Sequence, residues 1–171
     1  MRYDSCINDN AKLSSYHTPI SFESDSFANY LSGFTDGEGS FCVSINKSLK
    51  HKFNYEIRPS FSISQNKDRA QVLYYAKQFL NCGSIRESKS DNTLKYEVRS
   101  IKDLYNKVIP HFDKYPILSS KHQKFLIFKE ICLLMINKDH LNLLGFKKII
   151  NLIDSMGQSN HRKYNPQKIK I

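Results

Sequence analysis

The sequence predicts one α+β domain, an αββαββα core whose four-stranded antiparallel sheet is backed by helices, with further C-terminal helices. Three observations predict it. Hydrophobic spacing changes from a helical period to a period of two and back, twice in succession. Each period-two stretch is a pair of short runs divided by a polar turn, the pattern of a hairpin. A chain of 171 residues is long enough for one good core and gives no sign of a second.

The first helix is read from Phe27, Tyr30, Leu31 and Phe34, with Asp25 or Ser26 as its N-cap, and Gly37-Glu38-Gly39 ends it. Tyr30 and Phe34 are expected to fill the core, while the small Ser32 and Gly33 leave a surface where another backbone can approach closely. Phe41, Val43 and Ile45 then alternate with Ser40, Cys42, Ser44 and Asn46. Beyond a basic turn at 47–52, Tyr55, Ile57, Phe61 and Ile63 alternate with Glu56, Arg58, Ser60, Ser62 and Ser64. This is an antiparallel pair with one apolar and one polar face. Pro59 lacks a ladder donor, so a bulge or an edge position is expected there.

A second helix carries Val72, Ala76, Phe79 and Leu80 on one face and stops near 81–83. The second hairpin is Ser84–Ser88, a turn at 89–92, and Thr93–Arg99, with Leu94, Tyr96 and Val98 opposite Lys95, Glu97 and Arg99. Ser100 with Asp103 resembles a capping box and starts a helix bearing Ile101, Leu104, Tyr105, Val108 and Phe112. Helices near 121–137 and 140–156 follow, the last carrying Leu141, Leu144, Ile149, Leu152, Ile153 and Met156 and ended by Gly157. Residues 1–26 read as an N-terminal extension, 27–157 as the folded domain and 158–171 as a basic tail.

Lys and Arg outnumber Asp and Glu by 26 to 16, a formal charge of +10 that calls for a polyanionic partner. Nucleic acid is favoured over membrane, because the most apolar run, 125–136, is interrupted by Lys129 and Glu130. Cys6, Cys42, Cys82 and Cys132 are scattered, which indicates neither a zinc site nor a disulfide framework. The products of A/T-rich codons abound, so an organellar location, mitochondrion or chloroplast, is expected. The polar sheet face bears donors suited to phosphates and base edges, and a twisted two-stranded ribbon fits a major groove. Its candidates are Ser40, Cys42, Ser44, Asn46, Arg58, Ser60, Ser62, Ser64, Arg86, Ser88, Lys95, Glu97 and Arg99. Lys47, Ser48, Lys50, Lys52 and Lys89 add reach and backbone contacts from the turns.

The stretch Leu31-Ser-Gly-Phe-Thr-Asp-Gly-Glu-Gly39, followed by Ser40-Phe41, resembles the signature of the LAGLIDADG homing endonucleases. The resemblance runs from Phe27 to Met156. It implies that two such helices pair about a two-fold axis, with Tyr30, Ser32, Gly33 and Asp36 at the contact. Glu38, the second acid, would then bind divalent metal, with the Gly37 carbonyl as a further ligand and Asp36 mainly structural. Two carboxylates brought together repel unless a cation sits between them. Hard oxygens beside phosphate suit Mg²⁺, with Mn²⁺ or Ca²⁺ as substitutes. Gln65, Arg69 and Lys121 match the family's supporting active-site groups, with Lys124 as a weaker substitute for Lys121. Glu stands where the family more often has Asp, and the motif occurs once, so a homodimer cutting a pseudo-palindromic DNA target is implied. The alternatives are an intron RNA-splicing maturase and a non-cleaving DNA-binding protein of the same fold.

Overall fold

The computed structural model describes residues 25–88 and 91–157, so Cys6 with nearly all of the N-terminal extension, Lys89, and the whole tail 158–171 lie outside the described residues. Helix α1 (Asp25–Glu38) runs directly into strand β1 (Gly39–Lys47), which turns back into β2 (Tyr55–Asn66). A short 3₁₀ turn (Lys67–Arg69) leads to α2 (Gln71–Leu80), then to the hairpin β3 (Ser84–Ser88) and β4 (Thr93–Val98). Helix α3 spans 101–114, α4 is Lys121–Ile136 and α5 is Leu143–Ser155. The sheet is antiparallel throughout, in the order β1-β2-β4-β3.

Alternation fixes the two faces. Phe41, Val43, Ile45, Phe61, Ile63, Tyr96 and Val98 point inward and are buried against the helices. An aromatic cluster seals the layer, with Phe41 5.3 Å from each of Phe112, Phe125 and Phe128. Pro59 pairs with Val43 in an unbroken β1–β2 register. Pairing of β2 with β4 begins only at Phe61, so β2 is locally an edge at Pro59, one of the two expected outcomes.

Several expectations about single residues need correction. Tyr30 does not fill the core: it is 53% exposed and stacks on the partly buried Phe34. The inward stripe of α1 is Phe27, Ala28, Leu31, Ser32 and Thr35, because a turn of 3.6 residues rotates 30 and 34 away from it. On α5 the buried residues include Phe146, Ile149, Ile150 and Ile153, whereas Leu144 is 82% exposed and Leu141 lies outside the helix in a 3₁₀ turn. Asp25 begins α1 rather than capping it, and its carboxylate accepts from the Tyr115 hydroxyl.

Other local signals hold. Ser100 Oγ accepts from the Asp103 amide as the cap of α3. That helix widens into a π turn at Leu104–Val108 just before Pro110. Pro110 has no N–H to give in an i→i−4 ladder and its ring crowds the preceding turn, so a locally wider winding accommodates it. Gly83, at φ 77°, is packed so closely on β4 that an added Cβ would lie 2.8 Å from the Glu97 carbonyl. Gly157 takes φ 83° just beyond α5.

Candidate functional site

Helix α1 ends where the sheet begins. Gly39 is the first residue of β1, and its missing side chain matters, because a Cβ there would meet Thr35 Cγ2 at 2.4 Å and Thr35 O at 2.7 Å. The helix end and the strand start can share this space only if residue 39 is glycine. Glu38 is thereby fixed at the junction, exposed, one residue before the Gly39–Ile63 pair.

Lys121, at the first position of α4, reaches across to this junction. Its Nζ donates to the carbonyls of Asp36 at 2.6 Å, Gly39 at 2.8 Å and Thr35 at 3.0 Å, with Gly37 O at 3.4 Å. A cation among the last carbonyls of a helix satisfies groups that have no intrahelical partner and opposes the negative end of the dipole. Burial pulls the Lys121 pKa below its ordinary value, opposed by the charges of Asp36 and Glu38. Asp36 is engaged within its own chain. Its carboxylate accepts from the Ser119 amide at 3.1 Å and from the Ser119 hydroxyl, which holds its pKa below the usual carboxylate range. Ser119 Oγ also accepts from the Lys121 amide at 3.1 Å, so one serine links the end of α1 to the start of α4. Sequence reasoning placed Asp36 and Lys121 near the site but missed Ser119, whose only signal is its position just before the lysine helix.

Ser32 was expected on an open helix surface and is instead 4% exposed. Its hydroxyl donates to Tyr115 O at 2.7 Å and lies 3.2 Å from His111 Nε2. Its side chain is therefore taken up inside its own chain rather than presented on an open helix surface. The side of α1 that the described residues leave bare is Tyr30, Gly33 and Gly37, flanked by Phe34, and a Cβ on either glycine would meet none of the described residues within 4 Å.

Gln65 has the parity of Phe61 and Ile63, so it points to the helix side of the sheet rather than to the polar face. It lines a groove with Tyr30, Phe34, Arg69 and Tyr75, and Arg69 is 69% exposed beside Asp68. Two expected supporting groups thus share one groove along the bare side of α1. Lys121 stands apart from that groove, under the helix end.

The outer face carries the expected residues in register. Ser40, Ser62, Glu97 and Ser84 form one row, and Ser64, Lys95 and Arg86 the next. Arg58 is paired with Glu56 at 2.8 Å, and Ser44 Oγ donates to Arg58 O at 3.3 Å. Ser48 Oγ lies 2.9 Å from His51 Nδ1 in the β1–β2 turn. Glu97 was expected to contact a ligand directly, but it is 6% exposed and ion-paired to Arg99 and Lys95; Ser62 beside it is 7% exposed. Among the described residues no three His, Cys, Asp or Glu side chains gather to hold a metal, and none of the helices is long and apolar enough to cross a membrane. Glu38 with nearby carbonyls supplies part of a hard-cation site and no more.

A family model described as LAGLIDADG endonuclease matches residues 31–132. The chain is 37% identical over 123 residues to "Probable intron-encoded endonuclease 2" of Neurospora crassa, covering 71% of this chain and 27% of that protein. It spans about a quarter of the length of several curated relatives that it matches. The solved homing endonuclease I-TnaI superposes with a TM-score of 0.73 at 33% identity, covering 78% of this chain and 90% of that one. I-SmaMI, bound to uncleaved DNA target in the presence of calcium ions, superposes at 0.74 with 33% identity, covering 81% of this chain and 47% of that chain.

Proposed function

The chain belongs to the LAGLIDADG endonuclease family, and from that premise we propose that it is a homodimeric homing endonuclease making a Mg²⁺-dependent double-strand break in a long, pseudo-palindromic DNA target. The observation that carries this reading is the position of Glu38. Its exposed carboxylate stands at the α1–β1 junction, next to the bare strip of α1 on one side and the polar sheet face on the other.

The strip of Tyr30, Gly33 and Gly37 accepts the same strip of a second copy, and self-complementary packing makes a two-fold pair. The small residues allow close helix approach. Pairing brings two copies of Glu38 together, so each chain contributes half of a site that it lacks alone. Like charges brought together in this way favour a shared cation. Glu38 and the Gly37 carbonyl would hold it, and Mg²⁺ there supplies Lewis acidity and an activated water. Lys121 keeps the end of α1 in place through its carbonyl contacts. Gln65 and Arg69, in their groove beside the strip, order water and hold phosphate. The outer face reads the duplex through Ser40, Cys42, Ser44, Asn46, Arg58, Ser60, Ser64, Arg86, Ser88 and Arg99, with Lys47, Lys50, Lys52 and Lys89 on the backbone. DNA in the complex of I-SmaMI and the intron-encoded origin of the Neurospora relative support the substrate class. The abundance of residues with A/T-rich codons, and a 31% identical relative named as a mitochondrial protein of Saccharomyces cerevisiae, support an organellar setting.

The test is selection of cleaved sites from a randomised duplex library with Mg²⁺, followed by Glu38→Gln. The variant is expected to bind the selected duplex as tightly as the parent and to leave it uncut. Cleavage at the parental rate removes Glu38 from the chemistry. Tight binding of intron RNA without duplex cleavage would favour a splicing role instead.

A further inference from the structure

The outer face of the sheet contains one buried acid amid its cations. Glu97 sits on β4 with Ser62 on one side and Ser84 on the other, and these small neighbours let its carboxylate lie low in the row. It is 6% exposed, while Arg99 is 53% and Lys95 46% exposed. A buried carboxylate persists only where its charge is compensated by close donors. Arg99 supplies two, with Nε 2.9 Å from Oε2 and Nη2 3.2 Å from Oε1, a two-point clasp of one guanidinium edge. Lys95 Nζ stands 3.7 Å from Oε1.

A guanidinium has two such edges. With the Nε–Nη2 edge held by Glu97, the Nη1–Nη2 edge remains, and its direction is set by a buried anchor rather than by a free side chain. Two parallel donors at that edge match the O6 and N7 acceptors of guanine. We propose that Glu97 is a positioning residue for sequence readout, fixing Arg99 so that its free edge reads a guanine beneath the β4 end of the sheet. This rests on the DNA-binding reading above. Glu97 contributes negative charge, so it weakens attraction to phosphate while sharpening discrimination. A residue that only stabilised the fold would not separate these two effects.

The experiment uses the full chain in Ca²⁺, with the duplex selected by the parent, its complete set of single-base-pair variants and a scrambled duplex. Glu97→Gln is expected to bind the scrambled duplex severalfold tighter. It should also lose discrimination by about tenfold at one G·C pair in each half-site, with the pairs read by β1 unaffected. Arg99→Lys keeps the charge but not the second edge. It should lose the same position without gaining affinity for the scrambled duplex, which protects the test if Glu97→Gln folds poorly. The proposal is overturned if Arg99→Lys retains the parental profile. It is also overturned if a folded Glu97→Gln keeps the parental discrimination at every position, or if Arg99→Lys loses affinity equally at every position, the behaviour of a phosphate contact. If the parent selects no duplex at all, the DNA-binding reading itself falls, and this assignment with it.

Discussion

His111 is packed on Phe79, Phe112 and Tyr115, with its Nε2 3.2 Å from Ser32 Oγ. Burial pushes its pKa from 6.5 down to about 4. In the unfolded chain the imidazole titrates near its ordinary value, so between these limits the unfolded state binds more protons. Stability from this group is therefore complete above the unfolded pKa and is lost as pH falls through the window toward the folded one. Urea denaturation at about pH 5 should give a stability lower than at neutrality by about 2 kcal/mol, and His111→Gln should flatten that slope. An unchanged slope in the variant would show that another group titrates. Ser32 shows the limit of reading a residue from its size. A small residue on a helix serves equally as a gap for a neighbour or as a buried hydroxyl, and only the presence of His111 and the Tyr115 carbonyl distinguishes the two.

At the scale of elements, α1 and α4 are joined end to end through Lys121, Ser119 and Asp36. Removing the ammonium leaves helix-end carbonyls without a protein donor. Lys121→Met should therefore lower stability by about 1–3 kcal/mol, measured by chemical denaturation in metal-free buffer. A variant as stable as the parent would mean that water serves those carbonyls as well. The α2–β3 connection gives a second prediction. Gly83 has a positive φ and no room for a methyl against β4, so Gly83→Ala should cost about 1–3 kcal/mol by the same assay. The strands and the order of elements were legible because a period of two against 3.6 needs only local sequence. The π turn in α3 was not, since Pro110 signals a break without saying how the chain absorbs it.

For the whole molecule, the proposed two-fold assembly rests on the strip of α1 that the described residues leave uncovered. Gly33 has open space around its Cβ direction, so Gly33→Leu should leave the fold intact and raise helix propensity by up to about 1 kcal/mol. The same side chain would hold two helices apart. Sedimentation should show the parent as a dimer and the variant as a monomer, with duplex cleavage lost alongside. A variant that stays dimeric would place the interface elsewhere. The net charge of +10 adds a further expectation. Affinity for duplex should fall steeply and linearly in log–log form as salt rises, as counterion release requires.

The sequence by itself determined the family, the αββαββα order, the polar and apolar faces of the sheet and the single acidic motif. All of these follow from local periodicity or from contiguous residues. The tertiary structure decided which side of α1 the described residues leave bare, that Ser32 and Glu97 are buried, that Gln65 faces a groove rather than the outer face, and that Lys121 grips the end of α1. Each of those depends on a partner distant in the chain, and no spacing within the sequence specifies which distant groups the packed core will bring within reach of one another.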